Sequence, residues 1–263
     1  MKIKLCWLVV ASVAICLGLA ERAEAYCYGS LDAQWNGVSP GQGVTVNAYP
    51  GTIESPGLLR SLATTGGVYN FIKKGGDEEV TGLAYDESFW THCIDISEYV
   101  GGLEQWWVTD VDDAPDPNTY LGSVNISDAK EDLLRKLFFL YPGNLAAQSQ
   151  TAAARQIAVW EIVFEHWKGL NALDATSSFW VTGNALAGGE ANTMLNAVAS
   201  YSWQYLDPMP ILYAFVDRDT SDQDQLWLLD GGTETYIPEP VTVLGMFLGL
   251  GSVGAYIRRR RMM

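Results

Sequence analysis

Hydrophobic positions along the chain change period twice. Up to about residue 124 they fall in short alternating runs. The stretch "GVTVNAYP" (43–50) puts Val44, Val46 and Ala48 on one face and stops at Pro50-Gly51. "GGVYNFIK" (66–73) follows a Gly-Gly turn and alternates Val68 and Asn70 against Tyr69 and Phe71. "SFWTHCIDI" (88–96) and "EQWWVTDV" (104–111) read as a third and a fourth strand, and clusters such as Pro115-Asp116-Pro117 read as loops. From Ser127 onward the spacing becomes helical. "DAKEDLLRKLFFLY" opens on the D-x-x-E cap of Asp128 and Glu131, carries Leu133, Leu134, Leu137 and Leu140 on one stripe, and stops at Tyr141-Pro142-Gly143. "TAAARQIAVWEIVFEHW" predicts a second helix with Ala152, Gln156, Trp160, Val163 and Trp167 along one face, and "EANTMLNAVASYSWQYL" a third. Past Pro208 and Pro210, "ILYAFV" and "QLWLLDG" are extended again. Strands, then helices, then strands predict an α+β fold. We expect a β-rich sandwich or barrel-like body with a helical insertion, plus a C-terminal single hydrophobic helix.

The two ends break this pattern. Lys2 and Lys4 precede an uncharged apolar run, Leu5 to Ala20, and Ala23-Glu24-Ala25 follows. A basic head, an apolar middle and an A-x-A site predict a secretory signal peptide over residues 1–25. At the other end, Pro238-Glu239-Pro240 leads into the uncharged run Val241–Ile257, closed by Arg258, Arg259, Arg260 and Arg261. The run has 17 residues, at the short limit for a bilayer span, and the arginines would remain cytoplasmic. This arrangement resembles the PEP-CTERM sorting signal of Gram-negative bacteria. The resemblance implies a transient inner-membrane anchor over residues 238–263, cut by an exosortase-type membrane peptidase near Pro238–Pro240. The protein would then pass to the cell surface or the extracellular matrix. Gly249 to Gly254 spell G-x-G-x-x-G, but inside an apolar tail without a βαβ unit, so they do not predict a phosphate site.

Between the ends lies a body of residues 26–237, with nine Lys and Arg against 28 Asp and Glu, a net charge of −19. Nucleic acids and anionic lipids bind through basic residues, so both are excluded as partners of the body. Cations, neutral glycans and amine-bearing surfaces remain. Cys27 and Cys93 are the body's two cysteines, too few for a disulfide-rich scaffold but enough for one bridge.

Chemistry concentrates on Cys93 and Gln156. Gln156 sits on the apolar face of the second helix, where a carboxamide needs a partner. "HCID" followed much later by "RQIAVWE" resembles the two signatures of bacterial thioester domains, a strand cysteine and a T-Q-x-A-[IV]-W segment. Secreted PEP-CTERM proteins with an F-x-T-x-C-[IV]-[DE] strand and a Q-x-A-[IV]-W-E helix are also similar; together the likenesses span residues 68–168 and the "QDQLW" segment. The resemblance implies an internal thioester between Cys93 and Gln156, formed with loss of ammonia and opened by an amine or hydroxyl on a target. Trp160 would wall the bond from water. Glu161 would assist proton transfer, or would be an exposed helix carboxylate. Arg155 stands where threonine precedes the glutamine in the Gram-positive pattern, and His92 where an aromatic precedes the cysteine. His92 would face away from the thiol on a strand, and Asp95 and Glu98 would raise the thiol pKa. A Cys27–Cys93 disulfide and a free buried Cys93 remain the other readings of the same residue.

Elsewhere the acid clusters 110–118 and 217–224 invite comparison with calcium loops. Asp217, Asp219, Asp222 and Asp224 are the candidate oxygen ligands, with solvated turn acids as the other reading; neither cluster has the glycine and terminal glutamate of an EF-hand. Glu161 and Glu165, one turn apart on one helix face, do not flank a glycosidic bond as hydrolysis requires. Trp106 and Trp107 are candidates for stacking on sugar rings, or core residues. No cofactor and no enzymatic motif is predicted. The expected role is adhesion or matrix assembly outside the cell through a thioester, with non-covalent matrix or glycan binding as the alternative.

Overall fold

The computed structural model describes residues 27–49, 60–77, 82–96, 100–117, 125–143, 145, 148–165, 169–204, 207–217 and 223–235. The expected signal peptide and sorting signal therefore lie outside the described residues, and so does the C-terminal hydrophobic helix. No helix among the described residues is long and apolar enough to cross a membrane.

Ten elements follow one another: β1 (Cys27–Ala48), β2 (Arg60–Gly76), β3 (Ser88–Cys93), β4 (Leu103–Asp110), α1 (Asp128–Leu140), α2 (Ser149–Phe164), β5 (Phe179–Thr182), α3 (Ala185–Ser200), β6 (Pro208–Asp217) and β7 (Gln225–Thr235). The sheet order is β2-β3-β7-β6-β4-β1-β5, and β1 also pairs with β2. Six antiparallel strands thus close on themselves, which removes open edges. The long β1–β2 ribbon runs on past the ring, and there β5 pairs with Thr45–Ala48 of β1. The expected α+β class with a β-rich body and a helical insertion is what the chain adopts.

Alternation along the strands fills the ring. Phe71 of β2 stands opposite Phe89 of β3, Val108 of β4 opposite Phe215 of β6, and Leu31 of β1 opposite Trp106 of β4. The rings of Phe71 and Trp106 meet edge to face at 5.0 Å, and Phe215 stacks on Trp227 of β7 at 5.4 Å. On β4, Trp106 is fully buried while Trp107 is 41 % exposed, so only Trp107 is available to stack on a sugar. The ribbon also needs a very close backbone approach at Gly67, where a Cβ would lie 2.4 Å from Pro40 O.

Sequence and structure differ at a few boundaries. The α1 cap is Ser127, whose hydroxyl accepts from Lys130 N; Asp128 and Glu131 sit in the first turn, and Glu131 pairs with Arg135. β5 and the first half of β1 carry little alternation, and tertiary pairing makes them strands. α2 is buried on nearly every side, from Ala152 to Phe164, rather than along one stripe.

Replacing Trp106 by alanine removes a fully enclosed ring and is expected to destabilise the fold by about 3–5 kcal/mol. The same change at Trp107 should stay within about 0.5 kcal/mol. Denaturant midpoints of the two variants, compared at equal slope, check this.

Candidate functional site

β3 ends at Cys93, and its neighbour in the ring is the start of β7, where Gln225 pairs with Cys93. α2 lies against β3, and Gln156 reaches from it to the strand end. Cys93 N donates to Gln156 Oε1 at 3.1 Å, and Gln156 Nε2 donates to Cys93 O at 2.7 Å. Both residues are fully buried. The carboxamide of a residue 63 positions away is thus clasped to the cysteine's own backbone by a two-bond pairing.

The sulfur is equally placed. Cys93 Sγ donates to Asp95 O at 2.9 Å and accepts from Trp160 Nε1 at 3.4 Å. Asp95 O also accepts from Gln223 Nε2, and Thr91 Oγ1 donates to Gln225 Oε1 at 2.8 Å, so the "QDQLW" segment borders the site. Burial pushes the Cys93 thiol well above its ordinary pKa; the Asp95 and Asp224 carboxylates add to the rise, against the Trp160 N–H and the Asp95 backbone, which favour the thiolate. Glu98 lies outside the described residues.

In this structure Cys93 is a buried thiol without a disulfide bond. Cys27 opens β1 opposite Thr109 of β4, and β2 alone separates β1 from β3 on the shorter way round the ring. Two strand steps of roughly 4.8 Å each exceed what a disulfide spans without backbone movement.

His92 faces the other side of β3, as alternation requires. Arg155 Nε donates to His92 Nε2 at 3.1 Å, and Arg155 Nη1 donates to Tyr141 O at 2.8 Å. The guanidinium lies between the rings of Trp90 and Phe138, at 5.4 and 5.2 Å. Burial and the Arg155 charge hold the His92 pKa well below its ordinary value, so the imidazole is neutral and turned from the thiol. The two departures from the thioester pattern, Arg155 and His92, are therefore bonded to each other.

Glu161 is not an exposed helix carboxylate. It is fully buried, Oε1 accepts from Asn171 N at 2.6 Å, and Oε2 has no hydrogen-bond partner among the described residues. Burial pushes its pKa up to about 8, with Glu165 and Asp174 adding to the rise against the Asn171 bond. A carboxyl kept neutral in this way explains how the second oxygen is accommodated. Its partner is the 169–178 segment, not the Cys93 sulfur. Glu165 turns to the same segment, accepting from Ser178 N at 3.1 Å.

Of the calcium candidates, Asp219 and Asp222 lie outside the described residues. Asp224 Oδ1 accepts from Asp217 N at 2.8 Å, a turn-closing bond. Among the described residues the acidic group compact enough for a cation is Asp110, Asp112 and Asp113, within the other acid cluster. Tyr69 of β2 is a neighbour that the sequence pattern does not single out: it is buried, and burial, then the nearby Cys93 thiol, raises its pKa well above the ordinary value.

No protein-family model, no curated protein and no solved structure matches this chain. The class supported by the residues themselves is a β-rich domain enclosing a clasped Cys–Gln pair.

Two outcomes are expected here. The Glu161 carboxyl has a folded pKa above its unfolded value, so its stabilisation is complete below about pH 4.5 and is lost as pH rises through about 8. Glu161→Gln should flatten the corresponding decline, up to about 1.4 kcal/mol per pH unit, in urea titrations across that window. A double-mutant cycle with Arg155→Thr and His92→Phe should give a coupling of about 1–3 kcal/mol, because the two side chains share a buried hydrogen bond.

Proposed function

We propose that this protein is exported and surface-sorted, and that its body carries an internal thioester between Cys93 Sγ and Gln156 Cδ for covalent attachment to amine or hydroxyl groups. Residues 1–25 would direct export. Residues 238–263 would hold the chain transiently in the inner membrane until an exosortase-type peptidase released it to the cell surface or matrix. The observation carrying the thioester is the two-bond clasp, which holds the Gln156 carboxamide against the cysteine whose sulfur must reach its carbon.

Formation joins Cys93 Sγ to Gln156 Cδ and breaks the Cδ–Nε2 bond; the thiol proton leaves with the nitrogen as ammonia. The Cys93 N–H already donates to Oε1, the oxygen that becomes negative as sulfur adds, so one oxyanion donor is in place. The Trp160 N–H meets the sulfur and eases its departure when the bond is later opened. Enclosure by the barrel and α2 keeps water from the product. On the target, R–NH2 attacks Cδ, sulfur leaves and regains a proton, and the target remains linked to Gln156 through an amide.

The raised thiol pKa and the carboxamide already bonded at both its oxygen and its nitrogen favour a second reading, a silent pair in a non-covalent matrix or glycan-binding protein. Intact mass separates them. The chain, purified in detergent without reductant, is compared with Cys93→Ala of the same termini. We expect a mass short by one ammonia, and after methylamine an adduct on Gln156. The full calculated mass would establish the silent pair, and a mass short by two hydrogens would mean a disulfide.

A further inference from the structure

Resting on the thioester reading, we propose that Gln223 is a positioning residue of the Cys93–Gln156 pair. Its amide keeps the Asp95 carbonyl bonded after the Cys93 thiol gives up its proton, and so favours the closed thioester over the separated thiol and carboxamide.

Gln223 and Gln225 stand on either side of Asp224, where the chain enters β7. β3 pairs with β7 at this point, with Cys93 opposite Gln225 and His92 opposite Leu226. Ile94 N donates to Asp224 O at 3.1 Å, so the pairing carries on past the end of β3 and brings residue 223 beside residue 95. Thr91, Asp95, Gln223 and Gln225 are all buried, and polar groups in such a place need directed partners.

Their hydrogen bonds run in one direction. Thr91 Oγ1 donates to Gln225 Oε1 at 2.8 Å, Gln225 Nε2 donates to Gln223 Oε1 at 3.3 Å, and Gln223 Nε2 donates to Asp95 O. In each amide the oxygen is taken by the donor before it, which leaves the nitrogen facing the next acceptor. Gln225 Nε2 also donates to Gln223 O at 3.3 Å, which ties the two glutamines together at a second point. The orientation of the Gln223 amide is thus set from Thr91, two residues before Cys93 on the same face of β3. In the thiol form Asp95 O accepts from both Gln223 Nε2 and Cys93 Sγ, the latter at 2.9 Å.

Closing the thioester takes one of these donors away. The thiol proton leaves with Gln156 Nε2 as ammonia, so Asp95 O loses the sulfur's donor and Cys93 O loses the Gln156 nitrogen. A buried carbonyl deprived of a donor costs free energy, and this cost falls on the product alone. Gln223 holds Asp95 O through the change and confines the loss to Cys93 O. Its effect is differential. In the thiol form the carbonyl has the sulfur's donor as well, whereas in the thioester Gln223 holds it without the sulfur's help. A side chain without a donor at 223 therefore weakens the thioester more than the thiol.

The test reads the equilibrium between the two forms in full chains purified in detergent. Ammonia attacks Gln156 Cδ, sulfur leaves and takes up a proton, and the carboxamide returns. Intact mass counts both forms across an ammonium chloride series at fixed pH. The concentration that opens half of the molecules should fall about tenfold in Gln223→Met. It should fall less in Gln225→Met, which keeps the donor and frees only its orientation. An unchanged half-opening concentration in Gln223→Met would overturn the proposal, because a residue that merely supports the fold weakens both forms alike. If Gln223→Met does not fold, Gln225→Met decides: a fall upholds the proposal and no fall overturns it. If the wild type has its full mass, the thioester reading fails, and the shared carbonyl is read from urea midpoints instead. Gln223→Met should then cost more in Cys93→Ala, where the sulfur's donor is gone, than in wild type; an equal cost overturns the sharing as well.

Discussion

A helix buried on nearly every side can carry polar side chains only where the surrounding chain answers each of them. α2 has three such residues in its middle turns, Arg155, Gln156 and Glu161, all fully enclosed. Leaving one unanswered costs a few kcal/mol, more for a charge. Gln156 is answered by the backbone of Cys93, Arg155 by His92 and the Tyr141 carbonyl, and Glu161 by the backbone of Asn171. These partners sit on β3, on the end of α1 and on the segment before β5. Together they fix the rotation and the depth of α2 against the barrel, because sliding the helix by one residue would strand all three at once. The apolar contacts around it are tolerant of small shifts; the polar ones are not.

The same enclosure sets the chemical character of the Cys93 sulfur. Burial and nearby carboxylates keep it a thiol, which slows its attack on an amide. Enclosure also excludes the water that would hydrolyse a thioester once made. For the thioester proposed above, such a site would trade speed of formation for persistence of the product. The Cys93 N–H on Oε1 and the Trp160 N–H on Sγ lie at the two atoms where charge develops, so their help is confined to the step itself.

Much of this is legible in the sequence. The period changes near residues 127 and 208 located the helical insertion, because a stripe of leucines cannot be read as a strand. Gln156 stands out because an amide on an apolar face demands a partner, and the two motif segments pair it with Cys93. What the residues alone do not reveal follows from non-local pairing. Residues 27–42, broken by Gly29, Asn36, Gly37, Pro40 and Gly41, become strand because β2 and β4 flank them with register shifts. Trp106 and Trp107 are indistinguishable by composition, and only the ring's inside and outside separate them. Glu161 reads as a surface residue until the 169–178 segment covers it.

Arg155 and His92 carry the argument one step further. Where the resembling pattern has threonine and an aromatic, this chain has a cation and an imidazole, and they meet on the face of β3 that turns away from the sulfur. Without Arg155, His92 would lose its hydrogen-bond partner in the core, whereas Arg155 also holds the Tyr141 and Gly143 carbonyls. Together they share a hydrogen bond and are sandwiched by Trp90 and Phe138. The change therefore repacks the outer side of the strand and leaves the inner side intact. Gln156, the residue after Arg155, keeps its clasp on Cys93, the residue after His92.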